Sequence, residues 1–258
     1  MKKKSKRLVV ISDFHCGHEV GLTPTQWNPD PTRDAMSEYR AYMWRTVCQE
    51  IDRLRPIDIV VANGDLIDGR SERTGGNDLI VLDRLIQCDM AAVVIRRCDA
   101  GKTYILRGTD YHVGYDESYE DLVSEKVGAE RVGDVMNIDV NGLMFNFRHH
   151  IGGSQTPIGR TTPLLRESVW NALWNVRKGF PLADVIVRSH VHYCAYVGGP
   201  DWLAMTTPGL QGYGTRHGER RLSGIIDWGV TVFDVTNRRD FSWAPIVYPF
   251  PYPEPAKA

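Results

Sequence analysis

Residues 7–15 read RLVVISDFH, a short apolar run that ends in an aspartate and a histidine. The β-branched segment from Arg7 to Ser12 is predicted to form a buried strand, and Asp13 and His15 follow its carboxyl end. In an extended segment residues i and i+2 point the same way, so this pair should present two ligands to one side. The opening strand therefore predicts a buried sheet with a polar site at its edge.

Two further strands follow the first at helical intervals. They are predicted over Asp58–Ala62 and Thr103–Leu106. One amphipathic helix is predicted from Asp34 to about Leu54, and a second is capped by Asn77 and ends before Gly101. This βαβαβ pattern favours a mostly parallel sheet that binds ligands at the carboxyl ends of its strands.

The pattern changes to short strands from Val135 onward. The Asn141-Gly142 pair between Asn137–Val140 and Leu143–Phe147 predicts a type I′ hairpin. A helix is predicted over Pro163–Lys178, and in it the spacing of Trp170 and Trp174 favours core packing over base stacking. Four more strands are predicted, at Val185–Arg188, Ala195–Val197, Ile225–Val235 and Phe241–Val247.

The composition is that of a globular chain. Its 258 residues are 42% hydrophobic and 24% charged, which predicts a single domain over 1–258, with the basic tail 1–6 and the Pro-rich tail 249–258 peripheral. The 31 basic and 32 acidic residues give a net charge of -1, so no global field attracts nucleic acid or an anionic membrane.

The location is predicted from what the sequence does not show. No apolar run is long enough to span a membrane, and no export signal is visible. Five cysteines without a CxxC pair suit free thiols rather than a disulfide framework. These features predict a cytoplasmic protein with no membrane partner.

Six of the eight histidines fall at or just after predicted strand ends. The pair His190 and His192 repeats the i, i+2 spacing, and Asp65 follows the second strand, where its two oxygens can bridge two cations. Imidazole and carboxylate without thiolate suit Mn, Fe, Zn or Ni. We predict a two-metal hydrolytic centre, and leave His18 and His217 outside it because neither belongs to a paired motif.

Five motifs occur in chain order: Asp13-x-His15, Gly64-Asp65-x-x-Asp68, Gly108-x-Asp110, His149 and Ser189-His190-x-His192. Together they resemble the calcineurin-like metallophosphoesterase superfamily. The resemblance implies an α/β fold, a four-layer α/β/β/α sandwich with two mixed β-sheets. It also implies that Asp13, His15 and His192 hold the first metal. Asp65 would bridge the two metals, and His149 and His190 would hold the second.

The resemblance further implies a dinuclear-metal hydrolase, in which a metal-bound hydroxide attacks a phosphoester without a covalent enzyme intermediate. The two divalent ions are expected to be Mn, with Fe, Zn, Ni and Mg as alternatives. A phosphodiester or nucleic acid, as for a nuclease, is preferred over a phosphomonoester. The alternative is a metal- or nucleic-acid-binding module of the same fold that has lost catalysis. The sequence predicts no oligomeric state.

The third motif departs from the family pattern. Thr109 stands where an asparagine is usual, and Asp110, a hard anion, is the expected replacement ligand. The general-acid histidine of the family directly follows that asparagine, whereas His112 lies three residues after Thr109. His112 is the predicted proton donor, with Asp68 orienting its ring.

Four residues are predicted to contact the substrate. Guanidinium groups pair bidentately with phosphate, which suggests Arg107 or Arg70, and Thr109 lies beside the metals. His149 is preferred to His150 as the metal ligand because it takes the family's position before a Gly-rich turn. His150 is expected to line the pocket.

Overall fold

The two ends of the described chain meet in one sheet. The computed structural model describes residues 4–70, 75–113, 119–154, 156–214 and 225–250. The first sheet contains β1 (Lys6–Ile11), β2 (Ile59–Asn63), β3 (Lys102–Leu106), β4 (Arg131–Gly133), β10 (Gly229–Asn237) and β11 (Asp240–Val247). Their order across the sheet is β11-β10-β1-β2-β3-β4. Because β1 pairs parallel with β2 and antiparallel with β10, the sheet is mixed.

The second sheet is formed by the middle of the chain. It contains β5 (Val135–Val140), β6 (Leu143–Arg148), β7 (Val185–Arg188), β8 (Ala195–Gly199) and β9 (Trp202–Thr206), in the order β5-β6-β7-β9-β8. Asn141 and Gly142 have φ values of 55° and 94°, as the predicted type I′ hairpin requires. The β6–β7 and β7–β9 pairs are parallel, whereas the β5–β6 and β8–β9 pairs are antiparallel, so this sheet is mixed as well.

Alternate side chains of β1 enter two different cores. Leu8 and Val10 lie between the sheets, in a buried cluster with Phe145 and Phe147 of β6. Val9 and Ile11 face the other way and pack in the cluster beneath three helices. These are α1 (Ser37–Leu54), α2 (Arg84–Arg97) and α4 (Tyr119–Val127).

A fourth layer covers the second sheet. Helix α5 (Thr162–Val176) places Leu164 against Ile186 of β7 and Ala204 of β9. The order helix, sheet, sheet, helix confirms the predicted four-layer sandwich with two mixed sheets.

Two helices begin later than predicted. Helix α1 begins at Ser37, since the side chain of Asp34 accepts a hydrogen bond from the backbone of Met36 and forms a turn there. Helix α2 begins at Arg84 and is capped by Asp83, not by Asn77. Before it, the backbone N–H groups of residues 80 and 81 donate to Gly17, so this segment pairs with the loop after β1.

The sequence patterns also failed to predict four short elements, and they assigned one side of α5 to the core although it is exposed. The strands β4 and β9 and the helices α3 (Asp110–Val113) and α4 were not predicted. Trp170 and Trp174, predicted to lie in the core, are about half exposed, at 51% and 49%. The core prediction for these two residues was therefore wrong.

Residues assigned to the two peripheral tails take part in the folded structure. Lys6, assigned to a basic tail, begins β1, and Phe250 of the Pro-rich tail stacks on Trp228, with ring centroids 5.9 Å apart. Residues 1–3 and 251–258 and His217 lie outside the described part of the chain. All five cysteines are free thiols. Among the described residues no helix is long and apolar enough to cross a membrane.

Candidate metal centre

The carboxyl ends of β1, β2, β6 and β7 deliver histidines and aspartates to one edge of the two sheets. Backbone hydrogen bonds join the loops that follow these strands. The N–H of Asp13 donates to Gly64, the N–H of His15 donates to Asp65, and the N–H of Ser189 donates to His149. These bonds hold residues from four distant parts of the sequence beside one another.

The loop residues form three overlapping groups, in each of which the ligand atoms lie within 4.8 Å of one another. The groups are Asp13 with His15 and His192, Asp65 with His149 and His190, and His15 with Asp65 and His112. The Nε2 atom of His149 is 4.0 Å from Oδ1 of Asp13, so the first two groups adjoin. The structure thus brings together the six residues that the family resemblance assigns to two metals.

Five of these six residues have left-handed backbones. Asp13, His15, Asp65, His190 and His192 have φ values between 46° and 71°. Such conformations are uncommon outside glycine and concentrate at functional sites. The extended geometry predicted for the two pairs was wrong: Asp13 and His15 share one group through a turn, whereas His190 and His192 serve different groups.

Two glycines leave the space that the ligands occupy. A Cβ atom at Gly64, where φ is 83°, would lie 2.5 Å from the ring of His149. A Cβ atom at Gly108 would lie 2.1 Å from Oδ1 of Asp65. Both positions therefore require glycine for a steric reason.

The charges of the centre are those that a cation would compensate. Asp13 is fully buried, and its nearest polar partner is Nε2 of His192, 3.3 Å from Oδ1. Burial raises the pKa of Asp13, but attraction to His192 and His149 outweighs this effect and lowers the pKa to about 2. A buried anion is costly unless a cation pairs with it.

The histidines of the centre differ in protonation. Burial lowers the pKa of His15 to about 4, with a further contribution from His112, so its ring is a neutral ligand. Burial also opposes protonation of His149, but the Asp65 carboxylate, 2.9 Å from Nε2, raises the pKa of His149 to about 10. The Nε2 atoms of His15 and His192 face each other at 3.3 Å. This set of imidazoles and carboxylates fits divalent cations such as Mn, Fe or Zn.

Thr109 contacts the carboxylate between the two groups. Its backbone N–H and its hydroxyl donate to Oδ1 of Asp65 at 2.7 and 3.1 Å. Asp110, the expected replacement ligand, is exposed at the start of α3 and belongs to none of the three groups. The structure therefore brings Thr109, but not Asp110, to the centre.

The short helix α3 returns His112 to the centre. The N–H of His112 donates to the carbonyl of Thr109, and this turn places the His112 ring 4.5 Å from the ring of His15. The Nδ1 atom of His112 is 3.0 Å from the carbonyl of Asp68 and 3.5 Å from its Oδ1. The same Oδ1 is 3.0 Å from Nδ1 of His15. Asp68, itself buried, thus lies between two imidazoles.

The other predicted substrate contacts lie farther from the ligands or are already paired. Arg107 forms ion pairs with Asp121 at 2.8 Å and with Asp134 at 3.2 Å. Arg70 is exposed. His150 is exposed as well, and its ring lies 4.7 Å from that of His190, at the rim of the second group.

Sequence reasoning missed two buried residues that support the centre. The carbonyl of Asn63 accepts from Nδ1 of His149 at 2.6 Å, and the Asn63 side chain donates to Ser189. Glu120 of α4 accepts from the backbone N–H of Leu66, and burial and the nearby Asp65 raise the pKa of Glu120 to about 8. Asn63 could have been found as the last residue of β2, whereas nothing in the sequence marks Glu120.

Solved structures share this fold. An archaeal phosphodiesterase aligns with a TM-score of 0.50 at 14% identity, over 94% of this chain and 99% of its own. A purple acid phosphatase from yellow lupin seeds aligns with a TM-score of 0.52 at 12% identity, over 95% of this chain and 53% of its own. The sequence matches no protein-family model and is significantly similar to no curated protein. The chain has the fold of the calcineurin-like metallophosphoesterases, as its motifs predicted.

Proposed function

We propose that this protein is a metal-dependent phosphoesterase that hydrolyses a phosphodiester with two divalent ions. The observation that carries the proposal is the adjacency of two groups of ligands, one around Asp13 and one around Asp65, with a further histidine beside both. Carboxylates and imidazoles held this close form a ligand set that suits divalent cations.

The residues of the centre divide between the two ions. Asp13, His15 and His192 would hold one, His149 and His190 would hold the other, and Asp65 would contact both. Two cations bound there would lower the pKa of a water molecule toward neutrality and stabilise the entering and leaving oxygens at phosphorus. Manganese is the ion that we propose first.

His112 would protonate the leaving group. The carbonyl of Asp68 can only accept a hydrogen bond, so Nδ1 of His112 donates to it. The hydrogen bond fixes the ring with Nε2 toward the centre, and the doubly protonated imidazolium is the form that can donate a proton from Nε2 to the leaving oxygen. Proton donation by a positioned histidine contributes roughly 10²- to 10⁴-fold to a rate.

The paired arginine favours a diester over a monoester. A phosphodiester carries one negative charge, whereas a monoester approaches two at neutral pH and needs more cationic partners. Arg107 is occupied by Asp121 and Asp134, so it does not provide the additional positive charge. A nucleic acid is one such diester.

The test is hydrolysis of bis-p-nitrophenyl phosphate with Mn by the wild type, by Asp65→Asn and by the control Asp240→Asn. Asp240 is exposed at the start of β11, away from the centre. We expect activity and bound metal to be lost only in Asp65→Asn. Competing single- or double-stranded DNA should inhibit the wild type if nucleic acid is the substrate. Two bound metals without hydrolysis of mono- or diesters would contradict the enzymatic function.

The second candidate is a binding module of the same fold without catalysis. Thr109 favours it, because a hydroxyl that donates to Asp65 replaces the amide oxygen expected as a metal ligand. Elemental analysis separates the two candidates when it is combined with the hydrolysis assay. One metal per chain and no turnover would support the module.

A further inference from the structure

Helix α5 turns its polar side toward the protein and its apolar side toward solvent. On the inner side, Glu167 pairs with the buried Arg188, and Asn171 both donates to and accepts from the backbone of Ala183. Asn175 donates to the carbonyl of Phe180. Leu164 is the one buried residue of the helix. This orientation is the reverse of the usual one for a surface helix.

The outer side of α5 is mostly apolar, and the exposed Arg166 lies on it as well. Six of its residues are between 45% and 79% exposed: Leu165, Val169, Trp170, Leu173, Trp174 and Val176. Together they expose on the order of 600 Å² of apolar surface, which is the upper limit of the largest patch on a typical monomer. We call this surface the α5 face.

We propose that the α5 face is the interface of a homodimer, in which it packs against the same face of a second copy. Homodimer interfaces are about 65% apolar, so the apolar area corresponds to a footprint of about 900 Å² per copy. Stable complexes bury about 800 Å² per partner. The α5 face thus has the size of a complete interface.

The spacing of the apolar residues suits a two-fold pair. Leu165, Val169 and Leu173 form one row at i, i+4 spacing, and Trp170 and Trp174 form the neighbouring row. Rows of this kind interdigitate with identical rows when two helices cross at about -50°. A crossing near Leu173, in the last turn of α5, places the two copies of this residue in contact. Arg166, about two turns from this crossing, then lies where the helices diverge, and Arg177 follows the crossing by about one turn.

A second copy fits this face better than a lipid surface. A helix that lies on a membrane directs a strongly charged side toward the headgroups. The polar side of α5 is instead occupied inside the protein by the bonds of Glu167, Asn171 and Asn175. The net charge of -1 gives the chain no general attraction to an anionic bilayer.

The test is the solution mass of the full chain, measured by light scattering and sedimentation over a wide concentration range. The wild type should have twice the chain mass of 29.2 kDa. The double variant Trp170→Glu, Leu173→Glu should have the mass of one chain and retain the circular dichroism of the wild type. The control Leu82→Glu changes a side chain that is 72% exposed before α2, and should remain dimeric.

A second measurement does not depend on how the glutamate variant folds. Leu173→Cys should form a disulfide-linked dimer on mild oxidation, whereas Leu82→Cys and the wild type with its five thiols should not. A wild type that stays monomeric at its highest soluble concentration would overturn the proposal. Monomeric wild type that sediments with phosphatidylglycerol vesicles through the α5 face would overturn it in favour of a lipid surface.

Discussion

Replacing Gly108 with alanine should disable the metal centre through a single methyl group. The new Cβ atom would lie 2.1 Å from Oδ1 and 2.3 Å from the backbone nitrogen of Asp65. Real contacts of this kind are no shorter than 3.0 Å, so the loop after β3 and Asp65 must separate by about 1 Å. Thr109 would move with the loop, although it donates to the same carboxylate.

The magnitude follows from this displacement. A misplacement of about 1 Å at a catalytic group costs roughly 10²-fold in rate, and overpacking a buried site costs about 1–3 kcal/mol of folding free energy. We therefore expect Gly108→Ala to lose at least 100-fold of the kcat/KM for bis-p-nitrophenyl phosphate, about 2.7 kcal/mol in activation free energy. The affinity for Mn should fall with it.

Gly152→Ala is the matched control. A Cβ atom at Gly152 meets nothing within 4 Å, and neither Gly108 nor Gly152 has a positive φ, so only Gly108→Ala introduces a steric clash. The assay compares hydrolysis, bound Mn and Tm of both variants with those of the wild type. If Gly108→Ala binds two metals and hydrolyses the diester within a few-fold of Gly152→Ala, the close approach to Asp65 does not matter and the reasoning is refuted.

Three further outcomes are expected. His112→Gln should slow hydrolysis of a diester with an alkyl leaving group by roughly 10²- to 10⁴-fold, and hydrolysis of the p-nitrophenyl ester far less, because p-nitrophenolate leaves without a proton. Equal losses for the two esters in steady-state kinetics would contradict a proton-donor role. Binding of Mn at neutral pH should release a proton from His149, because its pKa of about 10 keeps the ring protonated without metal, and the affinity for Mn should therefore rise with pH. Calorimetry in two buffers of different ionisation enthalpy counts the released protons, and a count of zero would exclude His149 as their source. Burial of Glu120 should cost the chelated protein up to about 5 kcal/mol of stability as pH rises from 4.5 to about 8, because folding favours the protonated carboxyl. Urea titrations should show this loss as the difference between the wild type and Glu120→Gln, and identical profiles would contradict a raised pKa.

Much of the fold follows from patterns confined to a few neighbouring residues. The run from Arg7 to Ser12, the Asn141-Gly142 turn and the strand at Val185–Arg188 were predicted because local chemistry specifies them. The start of α2 was not, since the preceding segment pairs with the loop at Gly17, which is distant in sequence. Trp170 and Trp174 were misplaced because helical spacing identifies a face but not the direction in which it points.

The candidate site was predictable where ligands follow strands. Asp13, Asp65, His149 and His190 each come just after a strand whose end lies at the shared edge. The return of His112 depends on a four-residue helix, α3, which no periodic pattern can reveal. Support from Glu120 could not be predicted, because α4 reaches the centre only through tertiary packing.

The position of β1 has a consequence for synthesis of the chain on the ribosome. β1 carries Asp13 and His15 just beyond its end, and one of its edges is covered by β10. The ribosome completes the N-terminal βαβαβ unit first and reaches Gly229 about 220 residues after β1, some 10–40 s later at typical elongation rates. Throughout this interval the nascent chain displays an open, strongly apolar strand edge. The edge of the strand that leads into Asp13 and His15 is therefore closed only after most of the chain has been made.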